Sequence, residues 1–165
     1  MYRAEVDLYE RRDALPRAWI VHTVEAAPRA SKERISRLAD ESFDPRARAM
    51  VEGPLPDVAP TSEPSTVDFE RDDAQVVTLR ARTATPGLLV LSDAWYAAWV
   101  ATVDGREVPI ARTDAFMRGV VVPAGEHRVE FRYRDVPFRV GAGLFVAGSA
   151  VIAALLRRRR NDRPA

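Results

Sequence analysis

The 165-residue sequence has no cysteine, one lysine (Lys32) among 25 basic residues, two histidines (His22 and His127) and a single long apolar run. Without cysteine there is no disulfide framework, no thiolate nucleophile and no cysteine-ligated metal. With lysine almost absent, arginine carries the positive charge; helical and sheet surfaces accept lysine equally well, so the bias points to coding composition rather than a folding requirement. Two histidines with no carboxylate at ligand spacing make no metal site, and structural or solvated roles are expected for both. The sequence also lacks the G-x-S-x-G elbow of serine hydrolases and the G-x-x-x-x-G-K-[ST] phosphate loop. No catalytic residue, metal or cofactor is therefore expected. A formal net charge of +1 argues against the broad phosphate footprint of a nucleic-acid partner.

What is present is a chain of one-domain size, 47% hydrophobic and 30% charged, a balance that excludes both a disordered polymer and a multi-span membrane protein. The charge is unevenly placed. Residues 140–165 hold five arginines and one aspartate, which leaves a mildly acidic body of 20 basic and 23 acidic groups.

The apolar run, Val140 to Leu156, is seventeen residues without a charge, followed at once by Arg157, Arg158, Arg159 and Arg160. As a helix it would reach roughly 25 Å, the short end of what crosses a bilayer. A buried core helix is the alternative, but the terminal position and the arginine block favour a span. The expectation is a transmembrane helix over 136–157, with a basic cytoplasmic tail at 158–165. Residues 1–135 then stand outside the cell membrane, and the lipid bilayer is a partner. Gly143 and Ala147 form a small-xxx-small pair suited to packing another helix. The first thirty residues contain no export signal, with seven charged residues before Leu15. A C-terminal piece of a larger polytopic protein is the expectation that reconciles the two.

Within the body, residues 17–25 alternate as a strand with Trp19, Val21 and Thr23 on one face. Ser31 is placed to cap a short helix through Glu41, with Ile35, Leu38 and Ala39 on its apolar stripe. Asp44-Pro45 starts a turn before a strand in residues 47–52, and four prolines mark 53–66 as a loop. From Thr66 onward the patterns are all β. They include a central-strand run at LLVLSD, a hairpin turn at Asp104-Gly105 and a turn at Pro123–Glu126. Seven or eight short strands at this spacing predict a mainly β chain, an antiparallel β-sandwich with a short N-terminal helix and the C-terminal transmembrane α-helix.

The segments PGLLVLSDAWYAAWVATVDGREVPI and FMRGVVVPAGEHRVEFRYR, followed by an apolar span, resemble the C-terminal region of bacterial membrane proteins of the YfhO family. AWIVHTVE and FDPRARAMVEG resemble the stretches before that core. Ala97-Ala98 stands where the family has Pro-Gly. The resemblance implies a non-catalytic, membrane-anchored extracytoplasmic module, accessory to lipid-linked-sugar glycosyl transfer at the cell envelope. Its implied partners are the transmembrane helices of a polytopic YfhO-like protein and a cell-envelope glycan. The catalytic carboxylate of such glycosyltransferases lies in a portion this chain lacks. A stand-alone membrane-anchored carbohydrate- or protein-binding sandwich is the alternative.

Trp95, Tyr96 and Trp99 are the candidate glycan-contacting residues, because flat aromatic faces stack on sugar rings while their polar edges stay wet. The competing reading places Trp99, Ala101 and Val103 inward by period 2 as a core plug. Asp93, Asp104 and Asp114 could be paired as acids, but Asp104 is better explained as the hairpin turn residue.

Overall fold

The computed structural model describes residues 14–134 and, beyond them, residues 144–146, 148, 149 and 152. Alternating apolar segments form short strands: β1 (Ala18–Val21), β2 (Val24–Ala26), β3 (Ala49–Val51), β4 (Thr66–Asp72), β5 (Val76–Thr83), β6 (Gly87–Leu91), β7 (Trp99–Val103), β8 (Arg106–Val108), β9 (Ala111–Thr113), β10 (Met117–Val122) and β11 (Gly125–Tyr133), with one helix, α1 (Ser31–Leu38), between β2 and β3. They make a six-stranded sheet ordered β1-β6-β10-β9-β3-β2 and a five-stranded sheet ordered β4-β5-β11-β7-β8. The β2–β3 pair is parallel; the other ladders are antiparallel.

The sandwich core lies between the sheets, where Leu89, Leu91, Val120 and Val122 of the first meet Val77, Leu79, Val129 and Phe131 of the second. A second cluster covers the outer face of the six-stranded sheet, with Trp19, Val21, Leu88 and Val90 packed beneath Leu15 and Val58. Strand β6 feeds both clusters by alternation, so all five of its residues are buried. This is why LLVL reads as a continuous apolar run rather than as an alternating one. Close approach explains one glycine in its neighbour β10: a Cβ at Gly119 would stand 2.5 Å from Thr113 Cγ2 and 3.2 Å from Leu88 Cδ1.

Residues 17–25 do not form one strand. The chain bends at His22, so β1 pairs with β6 and β2 with β3. Helix α1 also departs from expectation. Ala30 is its N-cap, and the Ser31 hydroxyl makes no cap bond. It turns Arg34 inward and leaves Ile35 61% exposed. The reason is polar: the Arg34 guanidinium donates to the carbonyls of Pro28 and Arg29 and to Ser31 Oγ, and Glu52 lies 3.4 Å away. Three hydrogen bonds and an ion pair outweigh the burial of one isoleucine. The Pro123–Glu126 turn connects β10 of one sheet to β11 of the other, a crossover rather than a hairpin. At Asp104-Gly105 the hairpin is as expected, with Val103 opposite Arg106 and φ of 51° and 79°.

The registers define two ends. Leu91, Ala18, Trp99, Met117 and Tyr133 lie at one, and Gly87, Val21, Val103, Val122 and Gly125 at the other. Both connections between the described sandwich and the flanking sequence are at the first. Arg17 enters there, accepting from Ser92 N–H, and Arg134 leaves there, donating its N–H to Ala98.

The expected transmembrane helix is overturned: among the described residues no helix is long and apolar enough to cross a membrane. Of the span 136–157 only 144–146, 148, 149 and 152 are described, all helical. Gly143, Ala147, Arg157, Arg158, Arg159 and Arg160 lie outside the described residues. The physical reason is legible in the run itself. Its seventeen uncharged residues are at the low end of the range for a span, and Gly141, Gly143, Gly148 and Ser149 lower both its apolarity and its helix propensity. The single-pass membrane placement, with residues 1–135 outside and the arginine block inside, falls with the helix. The fold is a β-sandwich.

Gly119→Ala is expected to cost on the order of 1–3 kcal/mol, since the stiff, buried Thr113 must give way. A thermal melt should show its midpoint lowered by several degrees. An unchanged midpoint would contradict the close packing of β6, β9 and β10.

Candidate functional site: an aromatic ledge

At the end where the chain enters and leaves, two loops meet. Residues 92–98 carry the chain from β6 to β7, and Asp114-Ala115-Phe116 turns β9 into β10. A hydrogen bond from Trp95 N–H to the Phe116 carbonyl (2.7 Å) ties them. Tyr96 is 62% and Phe116 50% exposed, and Trp95 is half-buried, with the Arg112 guanidinium 5.9 Å above its ring. The turn Tyr96–Trp99 closes through Trp99 N–H to the Tyr96 carbonyl, 3.1 Å. Ala97-Ala98 therefore forms the turn without Pro-Gly.

Trp99 turns away from this surface. Its ring meets Tyr133 edge-on at 5.4 Å, and Arg118 Cζ lies 3.7 Å from its centroid on the other side. Arg118 is only 4% exposed. It donates from Nε to the Ala94 carbonyl (3.0 Å), and Asp93 lies 3.7 Å from Nη2. Burial lowers its pKa from the ordinary arginine value, opposed by the Asp93 charge. Arg17 grips Asp93 with two bonds of 3.0 Å, and these chiefly raise its own pKa. The loop bearing Trp95 and Tyr96 is thus held from below by two arginines acting as planar forks, a task lysine's single ammonium could not perform.

The Phe116 turn is held by Asp114. Its backbone N–H donates to the Met50 carbonyl, and its Oδ1 accepts from Met50 N–H at 2.9 Å, so the side chain extends the β3–β9 ladder by one pairing. Both Asp114 (φ 45°) and Ala115 (φ 69°) are left-handed, a conformation aspartate tolerates and alanine adopts at a cost. Burial pushes the Asp114 carboxyl up to about 6, against the Met50 hydrogen bond, with Glu25 adding to the rise.

Of the three predicted ligand-contacting residues, the fold brings Trp95 and Tyr96 onto one surface and uses Trp99 as their support. Phe116, Arg112, Arg118 and Asp114 were not anticipated as members of this site. The signal available for Phe116 was its place directly after a turn between two strands, the position from which Tyr96 also projects. The three acids do not converge: Asp93 and Asp114 lie at this end, Asp104 at the other.

The histidines belong to the opposite end. His22 Nδ1 faces the Ala59 carbonyl (3.0 Å) and Nε2 faces Ser65 Oγ (2.9 Å). The carbonyl only accepts, so Nδ1 carries a proton. The same hydroxyl lies 3.0 Å from Thr83 Oγ1, and Thr85 Oγ1 donates to the Ala59 carbonyl, so the group pins the proline-rich loop to the sandwich. His127 Nδ1 meets Asp104 Oδ2 at 2.6 Å. Among the described residues no group of three or more histidines and carboxylates could hold a metal ion. The solvent face of the five-stranded sheet is no basic patch either. Arg80 and Arg128 stand directly opposite each other, and Glu70 accepts from both, at 2.8 and 3.2 Å.

Compared with protein-family models, with curated proteins and with solved structures, the chain matches none of them.

The Asp114 pKa, raised above its ordinary 3.8, means the folded state holds a proton the unfolded chain has lost. Its contribution to stability is full below about pH 4 and is lost as pH rises through 6. Asp114→Asn keeps an acceptor for Met50 N–H and tolerates the same φ. In urea melts, the variant should match the wild type near pH 4 and exceed it by up to about 3 kcal/mol at pH 7. A pH-independent difference would refute the buried-acid assignment.

Proposed function

We propose that this chain is a non-catalytic glycan-binding sandwich, an accessory to glycosyl transfer of the kind its resemblance to the YfhO family implies. The observation that carries the reading is the ledge itself: Tyr96 and Phe116, on two loops joined by the Trp95 N–H to Phe116 carbonyl bond, stand largely in solvent, with Trp95 half-buried beside them. Exposing that much aromatic surface is unfavourable unless something covers it, and a folded monomer seldom leaves such side chains together without a use. Sugar rings fit because one face presents C–H groups to an aromatic ring while the hydroxyls remain free for polar neighbours. Arg112, over Trp95 and within 3.2 Å of Glu52, gives the ledge polar groups of both signs at its back. Those suit hydroxyls better than they suit a purely apolar ligand.

The rigidity of the support strengthens the reading. Trp95 and Tyr96 do not sit on a loose loop. Their backbone is fastened by Arg118, by the Arg17–Asp93 pair and by the Phe116 carbonyl. A pre-ordered platform loses less entropy on binding than one that must be assembled around its ligand. A protein surface is the second candidate occupant, favoured by the entry and exit of the chain at this end.

Titration with neutral hexose and N-acetylhexosamine oligomers, followed by tryptophan fluorescence, should give saturable binding. Tyr96→Ala and Phe116→Ala should each weaken it about tenfold, the loss of one stacking contact, without lowering the melting temperature. Absence of saturable binding, or undiminished binding in the double variant, would overturn the reading.

A further inference from the structure

The end of the sandwich opposite the ledge carries a second concavity. Strand β8 is only three residues long, and Pro109 then takes the chain across from the five-stranded sheet to the six-stranded one. Between that crossover, the β7–β8 hairpin and the last residues of β10 lies a cleft of about 650 Å³. Its volume is that of a small-molecule site. Val108, Pro109, Val121 and Pro123 make its walls apolar.

Its polar rim consists of Asp104, Arg106 and His127, and the charges there are unequally engaged. Asp104 has both oxygens occupied: Oδ1 accepts from Arg128 N–H (2.9 Å) and Oδ2 meets His127 Nδ1 (2.6 Å). His127 Nε2 faces the Ala124 carbonyl at 3.1 Å. With an acceptor before each ring nitrogen, the doubly protonated ring makes both bonds and the neutral ring only one. Asp104 is accordingly the chief cause of a raised His127 pKa. The carboxylate's hydrogen-bonding capacity is thereby taken up within the rim. Arg106 differs: among the described residues no carboxylate lies within 4 Å of its guanidinium, and its charge reaches Asp104 only as a minor, longer-range influence beside His127. The exposed arginines of the neighbouring sheet face, Arg80, Arg82 and Arg128, all have such partners. An apolar trough whose rim sets two basic groups, Arg106 and His127, against the single carboxylate of Asp104 is complementary to one class of ligand.

We infer that this cleft binds a small amphipathic anion, its apolar body against the valine and proline walls and its carboxylate on Arg106. The site is independent of the ledge, and the two can fail separately. Decanoate, below its micellar concentration, is the probe, titrated calorimetrically into the full chain, with decyltrimethylammonium as the charge-reversed control. Decanoate should bind at one site per chain, and the cationic amphiphile at least about tenfold more weakly. Arg106→Gln should weaken decanoate about tenfold, the loss of one charge-assisted contact. Val108→Trp, which fills the trough, should abolish the binding, and Tyr96→Ala should leave it unchanged. Equal affinity for the two amphiphiles, no decanoate binding, or binding that survives Val108→Trp in the folded variant would overturn the inference.

Discussion

Burying β6 on both faces is the constraint from which the rest follows. A strand with solvent on one side needs apolar residues at alternate positions only; β6 has none to spare for water, so it demands a covering layer above and below. The five-stranded sheet supplies one. The other comes from the segment before β1 and from the proline-rich loop, whose Leu15 and Val58 close the outer cluster. Once both layers are in place, the antiparallel registers of β1 and β10 on β6 set which residues end up together. The aromatic loops gather at one end and the histidines at the other as a consequence.

Arginine does most of the polar work of holding the loops. Arg34 beneath α1, Arg118 beneath the ledge and Arg17 on Asp93 each bring a flat, multi-donor group to backbone carbonyls or a carboxylate. Two of the three are nearly buried. Burying a guanidinium is costly unless its donors are met, and unmet ones remain: Arg118 Nη1 and Arg34 Nε have no hydrogen-bond partner among the described residues, although Glu52 lies 3.4 Å from Arg34 Nε as an ion pair. Stacking on Trp99 offsets part of that cost for Arg118, because the ring's negative face meets the cation. Asp114 is the corresponding acid, a buried carboxyl that substitutes for a strand residue and accepts a raised pKa for doing so.

The β character, the Asp104-Gly105 hairpin and the central position of LLVL were legible because each follows from local chemistry: alternation, positive-φ tolerance, an unbroken apolar run. Helix α1 was misjudged because Ile35 and Leu38 at helical spacing look like a core face, and the residue pattern does not announce that Arg34 will turn inward onto the Pro28 and Arg29 carbonyls, Ser31 and Glu52. The Pro123–Glu126 turn was legible as a turn, but a turn between two strands carries no mark of which sheet each strand will join. The ledge was half legible: Trp95 and Tyr96 were found as an aromatic group, but Phe116 lies twenty positions further on and arrives only through the Trp95–Phe116 backbone bond. The expected membrane span rested on counting uncharged residues. That count overlooked how much glycine and serine weaken an apolar run.

Entry at Arg17 and exit at Arg134 on the same side give the sandwich a polarity. Any body joined through either flank is tethered at the base where the aromatic residues stand, and the cleft beside His127 points away from it. The two surfaces therefore lie at opposite poles of the sandwich, one beside the chain's entry and exit and the other distal to them.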